Sequence, residues 1–519
     1  MKNISLSGFA GFLMILLVAL IFGLSIPIMP YKFTLLFAII VLGVVGFLVA
    51  VALPAKAAAP YRLIYTIFVI AVMAKFLWPN FAYIPVPALP SKNPQRWIWA
   101  FCLLYWIYSL LTNPILRQRL AQRIALSRLA WVILGLFAWR LLSVGFSERP
   151  LVSTYTMAIE LFEYLPAFLF AVTWVRDESD AAKLAKALLA TAIVVFLITA
   201  GELLTQQNLF ILFAPHDISN EDFLLAVLEA KTRGGAYRAQ ASFNHPLLMA
   251  QFAVSVLPLA LLGLLTFDRF RGRATAIGAL GSLLIVLWAS RTRTAIVVAG
   301  VVIASVIIML AFKAVRDRSG GVNRPLLGGL SLIGGFLVLG VAIGVLLLLT
   351  AGRSVEESSS SMARVTMLEL AYKAMIEEPI FGYGPGVGNF HAALRSSNGL
   401  TSLDSYFLTQ LLESGIPAFL LYITILIIGS AAFLRQTLFS RNPKYDLSSA
   451  MWSLSIIAFG ISSLVLSTPH NMPLLYLCLG VVTALKFRNH EQNTVESVEF
   501  YNSPNEVRAH TFPVSSKSL

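Results

Sequence analysis

Apolar residues run through this chain in blocks of roughly twenty, separated by short polar links, and that block length is what a helix needs to cross a bilayer. The blocks centre near Val18, Leu42, Ile70, Leu104, Leu134, Phe168, Val194, Ser255, Leu284, Ile303, Val338, Ile425, Ile457 and Leu479. They predict an all-α, polytopic transmembrane helical bundle of about 12–14 spans. The links "LRQRLAQRIALSR" (116–128), "DRFRGR" (268–273), "KAVRDRSGGVNR" (313–324) and "RQTLFSRNPK" (435–444) are all basic. In this layout they fall on one side, which the positive-inside rule makes cytoplasmic, and both termini come out there. The first block, residues 8–28, is longer than the apolar part of a signal peptide and has no small-residue cleavage site before Met29-Pro30. It reads as a span that stays attached.

Two links on the opposite side are long, residues 204–245 and 351–415, and long loops in a tight bundle tend to carry function. The first contains "SNEDFLLAVLEAKTR", which suits a short helix lying at the interface. In the second, "ESSSSMARVTMLELAYKAMIEEP" repeats apolar residues at Met362, Val365, Leu368, Ala371 and Met375. That spacing predicts an amphipathic helix stopped by Pro379, and a further short helix is expected over residues 403–414. The chain then divides into N-terminal spans (1–203), an outer loop (204–245), further spans (246–350), a second, larger outer loop (351–415), C-terminal spans (416–487) and a disordered cytoplasmic tail (488–519).

Composition agrees with the pattern: 58% of the 519 residues are hydrophobic and only 12% charged, a balance that a soluble core does not need. A net charge of +14, from 39 lysines and arginines against 25 acidic residues, reads as anchoring to inner-membrane lipids at the cytoplasmic leaflet, and no nucleic-acid partner is expected. Cys102 and Cys478 both lie inside apolar blocks. They give neither a disulfide framework nor metal-ligand spacing, and no cofactor or metal is expected.

Candidate chemistry gathers in the outer links. "FGYGPGVGNFHAALR" (381–395) sets Gly382, Gly384, Gly386 and Gly388 beside His391. Glycine amides turned toward a ligand make an anion-binding nest, and Arg353, Arg364 and Arg395 flank the run while Asp404 and Glu413 follow it. "WASRTRTAIVVAG" puts Arg291 and Arg293 in a very short turn between spans. Arginines there also snorkel to headgroups, yet a pair so placed is able to grip a diphosphate by bidentate hydrogen bonds. Arg238, Asn244 and His245 precede a span that begins at Pro246, a good first-turn residue. His245 and His470, beside prolines at span ends, read as structural. Glu160 and Glu163 lie inside a span and must face the bundle interior.

The order "RAQASFNHPLLMAQ", "SRTRTAIVV", "ARVTMLELAYKAMIEEPIFGYGPGVGNF" and "LDSYFLTQLLESGIPAFLLY" resembles the O-antigen ligase and polymerase family of bacterial envelope glycosyltransferases, including exopolysaccharide polymerases. The resemblance covers residues 238–422. It implies a GT-C-like, multi-pass enzyme of the bacterial inner membrane with a periplasmic active site. Such an enzyme acts on undecaprenyl-diphosphate-linked oligosaccharide without nucleotide sugar or metal, and a chain-length regulator and a flippase are its further expected partners. Ligases that attach O-antigen to lipid A core carry a histidine and a small polar residue where this chain has Asp404-Ser405, which tilts the expectation toward a polymerase. Ligase and, from another class, lipid-linked glycan flippase stand as alternatives. On this reading Arg291 and Arg293 bind the diphosphate, helped by Arg364, Arg238 and Arg353. Asp404 leads as general base, ahead of His391 and Glu413.

Overall fold

The structure is a computed structural model. It describes residues 61–82, 93–213, 231–233, 235–267, 270–318, 355–392, 394–395, 401–403, 405–439, 443–466 and 469–502. Helices dominate: α1 (Tyr61–Leu77), α2 (Pro94–Thr112), α3 (Pro114–Ala125), α4 (Arg128–Gly145), α5 (Pro150–Trp174), α6 (Glu178–Thr205), α7 (Pro246–Thr266), α8 (Phe270–Ala289), α9 (Arg293–Arg318), α10 (Val355–Glu377), the single turn α11 (Asn389–Ala392), α12 (Tyr406–Phe439), α13 (Pro443–Ser463) and α14 (Met472–Asn502). Two antiparallel strand pairs of two residues each decorate the loops, Thr232–Arg233 with Ala236–Tyr237 and Leu394–Arg395 with Thr401–Ser402.

Among the described residues, seven helices are long and apolar enough to cross a membrane, and eight if α2 and α3 count as one bent span. Leu447–Ser463 and Met472–Phe487 are shorter apolar helices. The expected centres Ile70, Leu104, Leu134, Phe168, Val194, Ser255, Leu284, Ile303, Ile425, Ile457 and Leu479 all fall in helices. Val18, Leu42 and Val338, the interfacial helix expected near residue 220, and Arg353 and Asp404 lie outside the described residues.

Packing is densest where α14 meets α5. A Cβ added at Gly480 would stand 2.6 Å from both the Ala171 Cβ and the Phe168 carbonyl oxygen, the close helix approach that small residues permit. Phe68, Phe170 and Trp174 stack beside this seam.

The basic link 116–128 is itself helical over most of its length: Asn113 caps α3 through the Leu116 amide, Pro114 opens it, and it bends from α2 by 104°. Buried Arg123 then donates to the Val172 and Val175 carbonyls at 2.6 and 3.0 Å, serving the end of α5. One sequence expectation needs correction. The tail expected to be disordered after Lys486 continues as helix α14 to Asn502, a run of Glu, Gln, Val and Asn that lacks Gly and Pro.

The described links gather at two ends of the bundle. At one end Tyr61 donates to the Trp174 carbonyl (2.5 Å), Lys186 sits over Phe267 and Arg273 donates to the Phe267 carbonyl. At the other, Ser242 donates to the Phe76 carbonyl (2.5 Å), Asn80 meets His470 (2.6 Å) and Glu148 meets His391 (2.9 Å).

Candidate functional site

Two groups of side chains occupy the second end. The first is built on the turn between α8 and α9. Arg291 holds a left-handed backbone (φ 52°), its amide donates to the Trp288 carbonyl at 3.1 Å, and its guanidinium lies 5.0 Å from the Trp288 ring centre. Arg238 comes from the loop before α7, where the Ala239 amide donates to the Ala289 carbonyl at 3.2 Å. Its Nε donates to the Ser290 carbonyl at 2.9 Å and its Nη2 to Thr292 Oγ1 at 3.3 Å. Arg238, Arg291 and Arg293 are thereby brought to one turn at the N-terminus of α9. A helix N-terminus carries positive partial charge, so cations there stand at the unfavourable end of the dipole and the favourable occupant is an anion.

The loop that supplies Arg238 is pinned by Glu202, whose Oε2 accepts the amides of Gln240 and Ala241 at 2.9 and 3.0 Å. His245 caps α7 through its Nδ1, which accepts the Leu247 amide at 3.1 Å. Burial, then the Arg238 charge, pushes this imidazole down to about 3, which fits the expectation of a structural role. His470 is likewise buried, edge-on to Phe243.

The second group is the glycine run. Gly382, Gly384 and Gly386 have φ of 64°, 102° and 77°, as the nest expectation requires, but the Gly384 and Gly386 amides do not wait for a ligand. The Tyr383 amide donates to the Leu412 carbonyl (2.8 Å), the Gly384 amide to the Glu413 carbonyl (2.9 Å), and the Gly386 amide to the Glu413 side chain. The glycines serve close approach: a Cβ on Gly382 would come within 2.4 Å of the Leu412 oxygen, one on Gly384 within 2.1 Å of Ser147 Oγ, and one on Gly388 within 3.1 Å of Glu413 Cγ. The loop docks on the start of α12, which breaks at Ser414 and Gly415, and the amide freed there at Ile416 donates to the Pro379 carbonyl at 2.8 Å.

Beneath the loop lies a charge cage that the sequence reading missed. Arg140, midway along α4 and 2% exposed, holds Glu160 by two bonds (2.5 and 2.8 Å), Glu413 at 2.8 Å and Gln410 at 3.0 Å. Glu413, third in the order of base candidates, is corrected: it is buried, and its carboxylate is spent on Arg140 and the Gly386 amide. Glu160 and Glu163 do face the interior, the latter paired with buried Lys75 at 2.6 Å.

His391 is the accessible member. Its ring stacks on Tyr383 with centres 3.6 Å apart, and its Nε2 meets Glu148 Oε2 at 2.9 Å. The Tyr383 phenol, raised to about 12 by burial and then by Glu377, donates to Glu377 and the Ala374 carbonyl at 3.0 Å each. Arg364 lies in α10. The expected face of that helix is also corrected: Met367, Ala371 and Ala374 are buried, whereas Val365 and Leu368 are exposed.

Residues 276–423 match the O-antigen ligase family model. The match supports an O-antigen ligase and polymerase family assignment and a membrane glycan-processing function. No curated protein matches the chain. The matched segment contains Arg291, Arg293, Arg364, His391 and Glu413, while Arg238, Arg140, Glu148 and Glu160 come from outside it. Both groups of the site are therefore completed by residues that the matched segment does not supply.

Proposed function

We propose that the protein polymerises undecaprenyl-diphosphate-linked glycan repeat units at the periplasmic face of the bacterial inner membrane. A hydroxyl oxygen of the acceptor sugar attacks the anomeric carbon of the donor. The bond from that carbon to the diphosphate oxygen breaks, its electron pair leaves with the diphosphate, and the hydroxyl proton passes to a protein base. The leaving group is good, so positioning and charge neutralisation carry most of the catalysis.

The observation that carries the reading is the convergence of Arg238, Arg291 and Arg293 on one helix N-terminus. Each charge-assisted contact to a diphosphate is worth about 1.5–3 kcal/mol. Arg364 and Arg353 are assigned as helpers from the large loop. Asp404 stays first as base, with His391, paired to Glu148, second. The basic end of the bundle is assigned to the cytoplasm, which puts these groups outside.

Deleting the gene and analysing surface glycans tests the proposal. Loss of long polymer with single repeat units retained is the expected result. Accumulated lipid-linked polymer with none on lipid A core would make the protein a ligase, and unchanged glycans would remove it from this chemistry.

A further inference from the structure

Beside His391 lies a second pair, whose arginine the transfer step does not use. Glu148 and Arg149, at the turn between α4 and α5, run alongside Phe390 and His391: Glu148 meets His391, and the Arg149 guanidinium lies 4.0 Å from the Phe390 ring centre. Arg149 makes no ion pair among the described residues, and Phe390 is 51% exposed. The backbone that carries these exposed side chains is fixed. The Arg149 amide donates to Ser147 Oγ at 3.0 Å, the Glu148 amide donates to the Tyr383 carbonyl at 3.3 Å, and His391 is stacked on Tyr383. A turn already held in place spares binding the cost of ordering that backbone, and the Arg149 guanidinium rests against the Phe390 ring.

The set offers a planar donor fork, a carboxylate with one oxygen outside the His391 contact, an imidazole and an aromatic ring. Sugars present that complement: vicinal hydroxyls pair with planar donors and acceptors, and the C–H face of a pyranose packs on a ring. An inorganic anion would not call for the carboxylate, and a lipid tail would not call for the fork.

We propose that Glu148, Arg149, Phe390 and His391 form the subsite that holds the acceptor glycan, separate from the arginine turn that holds the donor diphosphate. This rests on the glycosyl-transfer reading for its role but not for its binding test. The probe is the repeat-unit oligosaccharide released from its lipid carrier in the producing cell, followed by saturation-transfer NMR with the full chain in lipid nanodiscs. Arg149→Ala and Phe390→Ala should each weaken oligosaccharide binding by about tenfold, the size of one lost charge-assisted or stacking contact, and leave undecaprenyl diphosphate binding at the parent value. Where Arg149→Ala fails to yield folded protein, Arg149→Lys, which keeps charge and loses the fork, is read in its place with the same expectation. Parent-like oligosaccharide binding in the Arg149 and Phe390 variants would overturn the subsite. Parent-like polymer synthesis after Arg291→Ala, Arg293→Ala and Asp404→Asn would instead overturn the transfer reading, and weakened oligosaccharide binding in Arg149→Ala would still stand.

Discussion

Arg140 and Arg291 carry the same guanidinium at opposite extremes. Arg140 is 2% exposed and surrounded by Glu160, Glu413 and Gln410. Arg291 is exposed, on a left-handed backbone, at a turn shared with Arg238 and Arg293. In the cage the charges answer one another, and the result is a weld between α4, α5 and the broken start of α12. At the turn three cations gather at the end of a helix that favours anions, and the backbone takes a conformation where glycine would be easier. A left-handed arginine backbone kept at an accessible helix N-terminus is a place where strain is stored for function; a guanidinium and carboxylates locked together in the interior serve architecture.

The largest effect that follows is at the cage. Arg140→Ala leaves two carboxylates buried without their cation, which costs about 3–5 kcal/mol. We expect little folded protein, measured by thermal unfolding of the detergent-solubilised chain, and partial recovery when Glu160→Gln and Glu413→Gln accompany it. A stable, active Arg140→Ala would break the contrast from its buried side. Next comes Gly415→Ala. The residue has φ 75° and ψ −175°, a region that is almost glycine-only, and a Cβ there would stand 2.0 Å from the Ile380 oxygen. The substitution should cost about 3 kcal/mol or more, read as early protease cleavage between α10 and α12.

At the exposed side the sign reverses. Arg291→Gly relieves the left-handed backbone and should raise stability by about 1 kcal/mol while abolishing polymer synthesis. Loss of stability together with intact synthesis would make this arginine an anchor. The effect that is smallest near neutral pH concerns His245, held near 3 by burial and then by Arg238, whereas an unfolded chain titrates it near 6.5. Below pH 6.5 the unfolded state takes up a proton that the folded state does not, so this contribution to stability falls as pH drops from 6.5 toward 3. In His245→Asn, which keeps a capping acceptor, that pH dependence should disappear from the unfolding curve.

The sequence made the spans readable because a bilayer fixes their length, and it located the stop at Pro379 and the start at Pro246 because proline acts on its own backbone. It did not reveal the cage. A lone arginine in "LGLFAWRLLSVG" scarcely lowers the hydropathy of its block, although the need of any intramembrane charge for a partner was a usable signal, with Glu160 and Glu413 both at hand. The bend at Asn113-Pro114 also had its signal, obscured by the basic charge of the link. The face of α10 was unreadable for a different reason: Met367, Ala371 and Ala374 on one side and Val365, Leu368 and Tyr372 on the other are both apolar, so periodicity alone could not choose between them. Glu148 had no periodic signature at all. Its role depends on a contact with His391 across more than two hundred residues of chain.

The central claim is that the Arg238, Arg291 and Arg293 turn receives the donor's diphosphate. Undecaprenyl diphosphate binding to the full chain in nanodiscs tests it directly, with Arg291→Lys and Arg293→Lys compared against the parent. Lysine keeps the charge but not the bidentate fork, so the account predicts affinity lower by about tenfold or more at one or both positions, with unchanged thermal unfolding. Parent affinity in both lysine variants and in the corresponding alanine variants would contradict it.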